Sequence, residues 1–225
     1  MKRERLQNSK KRIFIADNHP IVREGLKMII NHEKDLEVCG EADEGWEANK
    51  SISELKPDVV VVDIILKNSD GFELTKNLKA RCPKLPVIIF STHDEFSYAE
   101  RTLRAGALAY LMKEVATENI INAIRSVLSG EIYVSDAIAK KLLRKVTAGK
   151  SDTILTPMDY LSDRELEIFL LIGKGYKPSK IAHSMHLSIK TVETYRSRVK
   201  EKLILTDADE LIRYAIQYVN NTSSV

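Results

Sequence analysis

Short apolar runs alternate with segments of helical spacing through the first half of the chain. The runs are rich in β-branched residues and lie at 12–17, 37–42, 58–63, 86–91 and 108–112. Between them, apolar residues recur every three or four positions, which is typical of amphipathic helices. Such alternation predicts a parallel sheet with helices on both faces, and a central strand is then apolar throughout. We therefore predict an α/β fold with a (βα)5 doubly wound parallel sheet over residues 11–130.

The second half of the chain carries helical spacing only. The segment 131–157 begins with a helical pattern and continues with Gly, Pro and polar residues, which indicates a linker. Ser162, followed by a glutamate three positions later, predicts a capping box at the start of a helix. Two further helices joined by a turn around His186–Leu187 predict a helix-turn-helix within a small all-α domain at 158–221.

Composition and charge narrow the class of protein. The chain is 44% hydrophobic and 30% charged, as expected for a folded soluble protein. It contains no apolar run of about 18 residues and no secretory leader pattern, so we expect a cytoplasmic location without membrane association. The net charge of +3 is uneven, because residues 177–203 carry seven basic and two acidic side chains. This basic segment makes nucleic acid a candidate partner.

Polar side chains follow four of the predicted strands. Asp17, Asp63 and Ser91 end the first, third and fourth strands, and Lys113 follows the fifth. Ligands of such sheets bind outside the carboxyl ends of the strands, where these groups would converge. A carboxylate there can attack a phosphoryl group, a hard cation can neutralise the charge, and a lysine can pair with phosphoryl oxygens. The alternative is that each is an isolated polar residue at a strand end.

The first half resembles the receiver domain of two-component response regulators. The resemblance covers about 11–130 and rests on IADNHPIVREGL, PDVVVVDIILKNSDGFEL, PVIIFSTHDEF and RAGALAYLMKE. It implies phosphorylation of an aspartate in the presence of Mg²⁺. The implied roles are phosphoacceptor for Asp63, metal ligands for Asp17, Asn18, Asp63 and the backbone carbonyl of Ile65, and switch or phosphoryl contacts for Ser91, Tyr110 and Lys113.

Two positions depart from the receiver pattern. Asn18 stands where the family usually has a second acid, so the pocket loses one negative charge and Mg²⁺ should bind more weakly. Lys67 stands where a proline is usual, and we expect it to loosen the loop and add positive charge beside the pocket. The histidines, His19 among them, are scattered, and we expect structural or surface roles rather than metal ligation.

The helix after Ser188 has one apolar stripe and one polar face. Val192, Tyr195, Val199 and Leu203 form the stripe. The segments LSDRELEIFLLIGKGYKPSKIA and LSIKTVETYRSRVKEKL resemble the C-terminal DNA-binding domain of LuxR-type and NarL/FixJ-type regulators, and a solvated basic helix is the alternative. The expected DNA-binding residues are Lys177, Lys180, Lys190, Thr191, Glu193, Thr194, Ser197, Arg198 and Lys200.

Together the two resemblances imply a DNA-binding transcriptional response regulator and not an enzyme. A sensor histidine kinase would phosphorylate Asp63, and phosphorylation would favour a homodimer that binds double-stranded operator DNA, with RNA polymerase as a further candidate partner. One alternative is a phosphorylation-independent regulator with a degenerate receiver, because of Asn18 and Lys67. Another is an aspartyl-phosphate hydrolase, against which Ile65 stands where a second acid would be needed.

Overall fold

The computed structural model describes residues 10–147, 157–185 and 187–223, which form two compact units, 1–150 and 151–225. The middle of the predicted linker and His186 of the predicted turn lie outside the described residues. Within the described part of the chain, no helix is long and apolar enough to span a membrane.

The first unit is built on a five-stranded parallel sheet, which confirms the predicted fold class. Its strands run in the order β2-β1-β3-β6-β7, so the chain starts near the middle and winds outward in both directions. The strands are β1 (Lys11–Ala16), β2 (Leu36–Ala42), β3 (Val59–Val62), β6 (Val87–Ser91) and β7 (Ala109–Met112). Two short antiparallel strands, β4 (Ile65–Leu66) and β5 (Ser69–Asp70), form a hairpin after β3.

Helices connect successive strands and cover both faces of this sheet. They are α1 (Pro20–His32), α2 (Gly45–Leu55), α3 (Gly71–Arg81), α4 (Glu95–Arg104) and α5 (Ala116–Leu128). All four valines of β3 are buried, with at most 1% of their surface exposed, because this strand lies between β1 and β6 and is covered on both faces. The reversal of winding between β1 and β3 creates the crevice in which ligands of such sheets bind.

A sixth helix, α6 (Asp136–Thr147), belongs to the first unit and packs on α4. The chain reaches it along the edge of β7, where the Tyr133 backbone exchanges hydrogen bonds with Leu108 and Tyr110. Ser135 Oγ then donates to a Glu95 carboxylate oxygen at 2.8 Å. The helical start predicted for the 131–157 segment is therefore fastened to the sheet edge and to the beginning of α4.

The second unit consists of helices α7 (Asp163–Gly173), α8 (Pro178–Ser184), α9 (Ile189–Lys202) and α10 (Ala208–Ser223). The predicted capping box is present: Ser162 Oγ accepts from the Glu165 backbone, and the Glu165 carboxylate accepts from the Ser162 backbone. Val192 and Val199 of the predicted stripe are fully buried, whereas Tyr195 and Leu203 are half-buried. The remaining side of α9 is thereby turned outward.

Candidate functional site

Three of the predicted strand-end residues form one buried ionic cluster. Lys113 Nζ lies 2.6 Å from Asp17 Oδ2 and 2.8 Å from Asp63 Oδ2. The three side chains expose only 7%, 2% and 4% of their surface. The Asp63 backbone also donates to the Ala16 carbonyl at 2.7 Å, which holds β1 and β3 in register at this point. The sequence prediction that these groups converge is therefore what the structure shows.

The cluster holds two carboxylates and one cation. Burial raises the pKa of Asp17 above its usual value, the nearby Asp63 carboxylate raises it further, and Lys113 opposes both effects. When both carboxylates are ionised they carry two negative charges, and Lys113 supplies only one positive charge. The cluster therefore keeps net negative charge. The pocket is therefore suited to a second cation.

The pocket has oxygen donors of the kind that Mg²⁺ prefers. Asn18, the residue after Asp17, has an amide oxygen that is buried without a hydrogen-bond partner among the described residues. An orphaned buried oxygen costs free energy unless a donor or a cation satisfies it. Asp17, Asn18 and Asp63 thus fit a hard dication. Ligation by the Ile65 carbonyl stays a prediction.

The loop that follows Asp63 is ordered by close backbone contacts. A Cβ atom at Gly71 would lie 2.0 Å from the Asp63 carbonyl oxygen, so only glycine fits there. Lys67 Nζ lies 3.7 Å from carboxylate oxygens of both Asp43 and Glu44. The Lys67 backbone N–H also donates to the Asp43 carbonyl at 2.9 Å, so this residue contacts the loop between β2 and α2, and a loosening of the loop by Lys67 stays a prediction.

His19 lies at the exposed edge of the pocket, a position that our sequence analysis does not predict. Its side chain is 57% exposed, yet Nδ1 lies 3.2 Å from Asp17 Oδ1 and 3.7 Å from Asp63 Oδ2. A hydrogen bond to Asp63 raises the pKa of His19, against the opposing effect of partial burial. His19 is therefore a surface residue, as expected, but its imidazole also lies beside both carboxylates of the pocket.

Ser91 and Tyr110 both hydrogen-bond to the backbone of His93. Ser91 Oγ accepts from the His93 backbone N–H at 3.2 Å, and Tyr110 Oη donates to the His93 carbonyl at 2.9 Å. Both side chains are buried, Ser91 completely and Tyr110 to within 2%. The ring of Tyr110 already lies inside, so an inward movement of that ring is not available to this conformation.

The outward side of α9 carries most of the predicted nucleic-acid contacts. Lys190, Glu193, Thr194, Ser197 and Arg198 are exposed, and Thr191 and Lys200 are half-buried. Ser188 caps the helix by accepting from the Thr191 backbone at 3.0 Å, and its hydroxyl also contacts that of Thr191 at 2.8 Å. Both the backbone N–H and the hydroxyl of Thr191 thus contact Ser188 at the start of α9.

Two predicted contact residues have partners within the unit. Arg196 Nη1 lies 2.7 Å from Glu193 Oε1, so this carboxylate is held by its own helix. Lys180 Nζ lies 3.7 Å from the centre of the Tyr176 ring, and Lys177 at the start of α8 is exposed. Helix α8, which carries these two lysines at its start, packs on α9.

Comparisons with known families agree with both parts of this geometry. A model of the response regulator receiver domain matches residues 13–125, and one of bacterial regulatory proteins of the luxR family matches residues 159–215. The chain belongs to the response regulator family. It is a DNA-binding transcription regulator rather than an enzyme, as expected from its sequence, and the hydrolase alternative is rejected.

Relatives of this response regulator match over nearly their whole length. The oxygen regulatory protein NreC of Staphylococcus haemolyticus is 36% identical over 210 residues, which are 92% of this chain and 97% of that protein. NreC of Staphylococcus aureus is 37% identical with the same coverage. The order of the receiver and LuxR-type parts is therefore shared with full-length regulators.

Solved structures show the same fold. A two-component response regulator of the LuxR family from Aurantimonas is 31% identical, covers 62% of this chain and 99% of that chain, and has a TM-score of 0.57. RcsB from Salmonella enterica serovar Typhimurium, solved on a promoter with the phosphomimetic BeF₃⁻, is 24% identical with a TM-score of 0.57. It covers 96% of this chain and 100% of that chain, and at this identity it supports the fold alone.

Proposed function

We propose that Asp63 is the phosphoacceptor and that its phosphorylation controls DNA binding by the LuxR-type unit. The observation that carries this proposal is the position of the Asp63 carboxylate, which is buried at the end of β3 within 2.8 Å of Lys113 Nζ. A carboxylate can act as a nucleophile toward a phosphoryl group, and an ammonium at that distance can pair with the phosphoryl oxygens. A sensor histidine kinase is the proposed phosphodonor.

A divalent cation is part of this proposal. Receiver domains typically bind Mg²⁺ at an acidic pocket, and here Asp17, Asn18 and Asp63 are the proposed ligands, with the Ile65 carbonyl completing the set. The cation would neutralise the charge of an incoming phosphoryl group, which Lys113 alone cannot do. The amide of Asn18 brings no charge, so we expect affinity for Mg²⁺ to be weaker than with an acid there.

Hydrogen bonds connect Ser91, at the end of β6, to the start of α4. The Ser91 hydroxyl would donate to a phosphoryl oxygen, and a movement of Ser91 toward that group would pull on the His93 N–H that donates to it, while the His93 carbonyl accepts from Tyr110. His93 precedes α4, whose Phe96 carbonyl accepts from Lys141 Nζ of α6 at 2.8 Å. A shift at Ser91 would thus reach α4 and α6, and we propose that it favours a homodimer.

The proposed DNA contacts lie on α8 and α9. Lys177, Lys180, Lys190, Arg198 and Lys200 would bind backbone phosphates, while the exposed Glu193, Thr194 and Ser197 would meet base edges in the major groove. Thr191 would act mainly by fixing the helix start, where the first backbone N–H groups face the phosphates. Dimerisation would place two such helices on two half-sites.

Phosphorylation-independent DNA binding remains the second candidate, and Asn18 is the observation that favours it. Lys67 is the second departure from the receiver pattern, and its side chain lies 3.7 Å from carboxylate oxygens of Asp43 and Glu44. The two candidates differ in whether the pocket reacts at all with a phosphodonor.

The test is incorporation of labelled phosphate from acetyl phosphate and Mg²⁺ into the full-length chain. We expect acid-labile label in the wild type and none in Asp63→Asn. Asp70→Asn is the matched control, since Asp70 lies in the same loop but caps α3 by accepting from Phe72 at 2.8 Å. Equal labelling of the Asp63→Asn variant would overturn the assignment of the phosphoacceptor.

A further inference from the structure

One titratable side chain at the pocket has no part in the proposed phosphorylation. Among the described residues, Asp17, His19 and Asp63 form a group whose candidate ligand atoms all lie within 4.8 Å of one another. His19 Nδ1 contributes a nitrogen to what is otherwise a set of oxygens. Nitrogen is a poor ligand for Mg²⁺ and a good one for first-row transition metals.

The distances among these atoms suit a single metal ion. Ligands at about 2.1 Å from an ion lie about 3.0 Å apart in an octahedral site and about 3.4 Å apart in a tetrahedral one. His19 Nδ1 lies 3.2 Å from Asp17 Oδ1 and 3.7 Å from Asp63 Oδ2. The imidazole is thus at ligand spacing from Asp17 Oδ1 and slightly beyond it from Asp63 Oδ2.

The lysine leaves one of the two carboxylates open on this side. Lys113 contacts the Oδ2 atom of Asp17, whereas His19 contacts the Oδ1 atom of the same carboxylate. At Asp63 both approach Oδ2, Lys113 at 2.8 Å and His19 at 3.7 Å, so an ion on the His19 side would share that oxygen with Lys113. The buried amide oxygen of Asn18, which has no hydrogen-bond partner among the described residues, is a further available donor.

We propose that this pocket binds a first-row transition-metal dication such as Mn²⁺ in preference to Mg²⁺, with His19 as a nitrogen ligand beside Asp17 and Asp63. His19 supplies the third strong ligand that the exchange of an acid for Asn18 removes, and it changes the metal preference in doing so. The inference rests on the proposed phosphoacceptor pocket and names the ion of that same site.

The experiment measures metal binding to the full-length chain without a phosphodonor. Loss of the free Mn²⁺ resonance gives Mn²⁺ affinity, and competition gives Mg²⁺ affinity. We expect the wild type to bind Mn²⁺ at least about tenfold more tightly than Mg²⁺. His19→Ala should lower Mn²⁺ affinity about tenfold while changing Mg²⁺ affinity less than twofold. His32→Ala removes an exposed histidine from the end of α1 and should change neither.

Electron spin-echo modulation of bound Mn²⁺ supplies a second readout that does not need a variant to fold. We expect a coupled imidazole nitrogen in the wild type and its loss in His19→Ala. Bound Mn²⁺ without nitrogen coupling, or an equal loss of both metals in His19→Ala, would overturn the inference. Phosphate labelling of Asp63 with Mg²⁺ is scored separately, so failure of the metal preference and failure of the phosphoacceptor assignment are distinguishable.

Discussion

The pocket and the outward side of α9 are both sets of charged side chains, but the protein treats them in opposite ways. Asp17, Asp63 and Lys113 are almost completely buried, and Lys113 Nζ lies within 2.8 Å of one oxygen of each carboxylate. On α9, Lys190 and Lys200 make no ion pair with an acid anywhere in the part of the chain that the structure describes. The first set is closed around a small site, whereas the second is left open for a large partner.

This difference predicts which property of the protein each set of charges controls. Buried charges interact strongly, so removing one changes the protonation and stability of the others. Exposed charges are screened by water and salt, so each contributes little until a phosphate approaches. We therefore expect substitutions in the pocket to change folding and its pH dependence, and substitutions on α9 to change DNA binding alone.

The largest expected effect is that of Lys113→Ala, which leaves two buried carboxylates without their ammonium group. We expect a loss of about 3 kcal/mol in the free energy of unfolding of the receiver at pH 8. Since burial already raises the pKa of Asp17, protonation relieves the repulsion as the pH falls, and the loss should be smaller at pH 5.

Urea unfolding in EDTA, followed by fluorescence, measures this loss. The chain has one tryptophan, Trp46, and it lies in α2 of the receiver, so its emission reports this unit. Lys84→Ala removes an exposed lysine and should leave the transition unchanged. Equal losses for Lys113→Ala at both pH values would show that the carboxylates are not coupled as described.

Glu165, a buried acid in the DNA-binding unit, tests whether a buried ion pair outside the pocket also makes stability depend on pH. Glu165 is 3% exposed and accepts from Lys202 Nζ at 2.6 Å and from the Ser162 backbone at 2.7 Å. Burial alone would raise the pKa of Glu165, but hydrogen bonds from Lys202 and Ser162 hold it below its usual value. Its stabilising effect is therefore present above pH 4.5 and is lost as the pH falls through the lowered pKa.

Glu165→Gln should cost about 1–2 kcal/mol of the stability of this unit at pH 7. Calorimetry should show the deficit at pH 7 and its disappearance at strongly acidic pH, with the Trp46 transition unchanged. Glu201→Gln, at an exposed position of α9, is the matched control. A deficit that persists undiminished in acid would mean that the carboxylate charge contributes nothing.

On α9 we expect an effect on specificity rather than on stability. A carboxylate near DNA repels phosphates but can accept from cytosine N4, so Glu193→Ala should remove about 1 kcal/mol of discrimination at one base pair. Because Arg196 holds Glu193 at 2.7 Å, the variant also frees a cation, and non-specific binding should stay equal or tighten. Selection from randomised duplexes measures the preference, with Glu201→Ala as the control of equal charge change. Identical motifs for the wild type and Glu193→Ala would exclude base reading by this carboxylate.

The smallest expected effect is that of Lys190→Ala. One phosphate contact is lost, so binding to all duplexes should weaken by a similar factor, and the salt slope should fall by about one. Titrations of one duplex at several salt concentrations measure the slope. Lys84→Ala makes the same charge change in the receiver, outside the DNA-binding unit, and should leave the slope unaltered. A sequence-dependent loss would instead make Lys190 a base-reading residue.

Strand ends and helix periodicity are features that the sequence displays directly. The positions of Asp17, Asp63 and Lys113 could be predicted because parallel strands end at one edge of a sheet. The contact of His19 with that edge depends on side-chain direction after a strand, which residue spacing does not reveal. The need for glycine at position 71, beside the Asp63 carbonyl, appears only from the packing of the loop.

Ion pairs between residues far apart in the chain could not be predicted from the sequence. We expect Lys67 to add positive charge beside the pocket, and the fold brings two acids of the loop after β2 to within 3.7 Å of it. Glu193 and Arg196 are three residues apart on α9, a spacing at which opposite charges meet, so this pair could have been predicted from the sequence. Contacts such as those of Lys67 depend on the topology of the fold and not on the local sequence pattern.

The central claim is that phosphorylation of Asp63 controls DNA binding. The most direct measurement is the affinity of the full-length chain for a duplex obtained by selection, with and without acetyl phosphate and a divalent cation. We predict that the phosphodonor strengthens binding by the wild type and leaves Asp63→Asn unchanged. Equal affinity of the wild type with and without the phosphodonor, in a sample shown to carry the phosphate, would contradict the account.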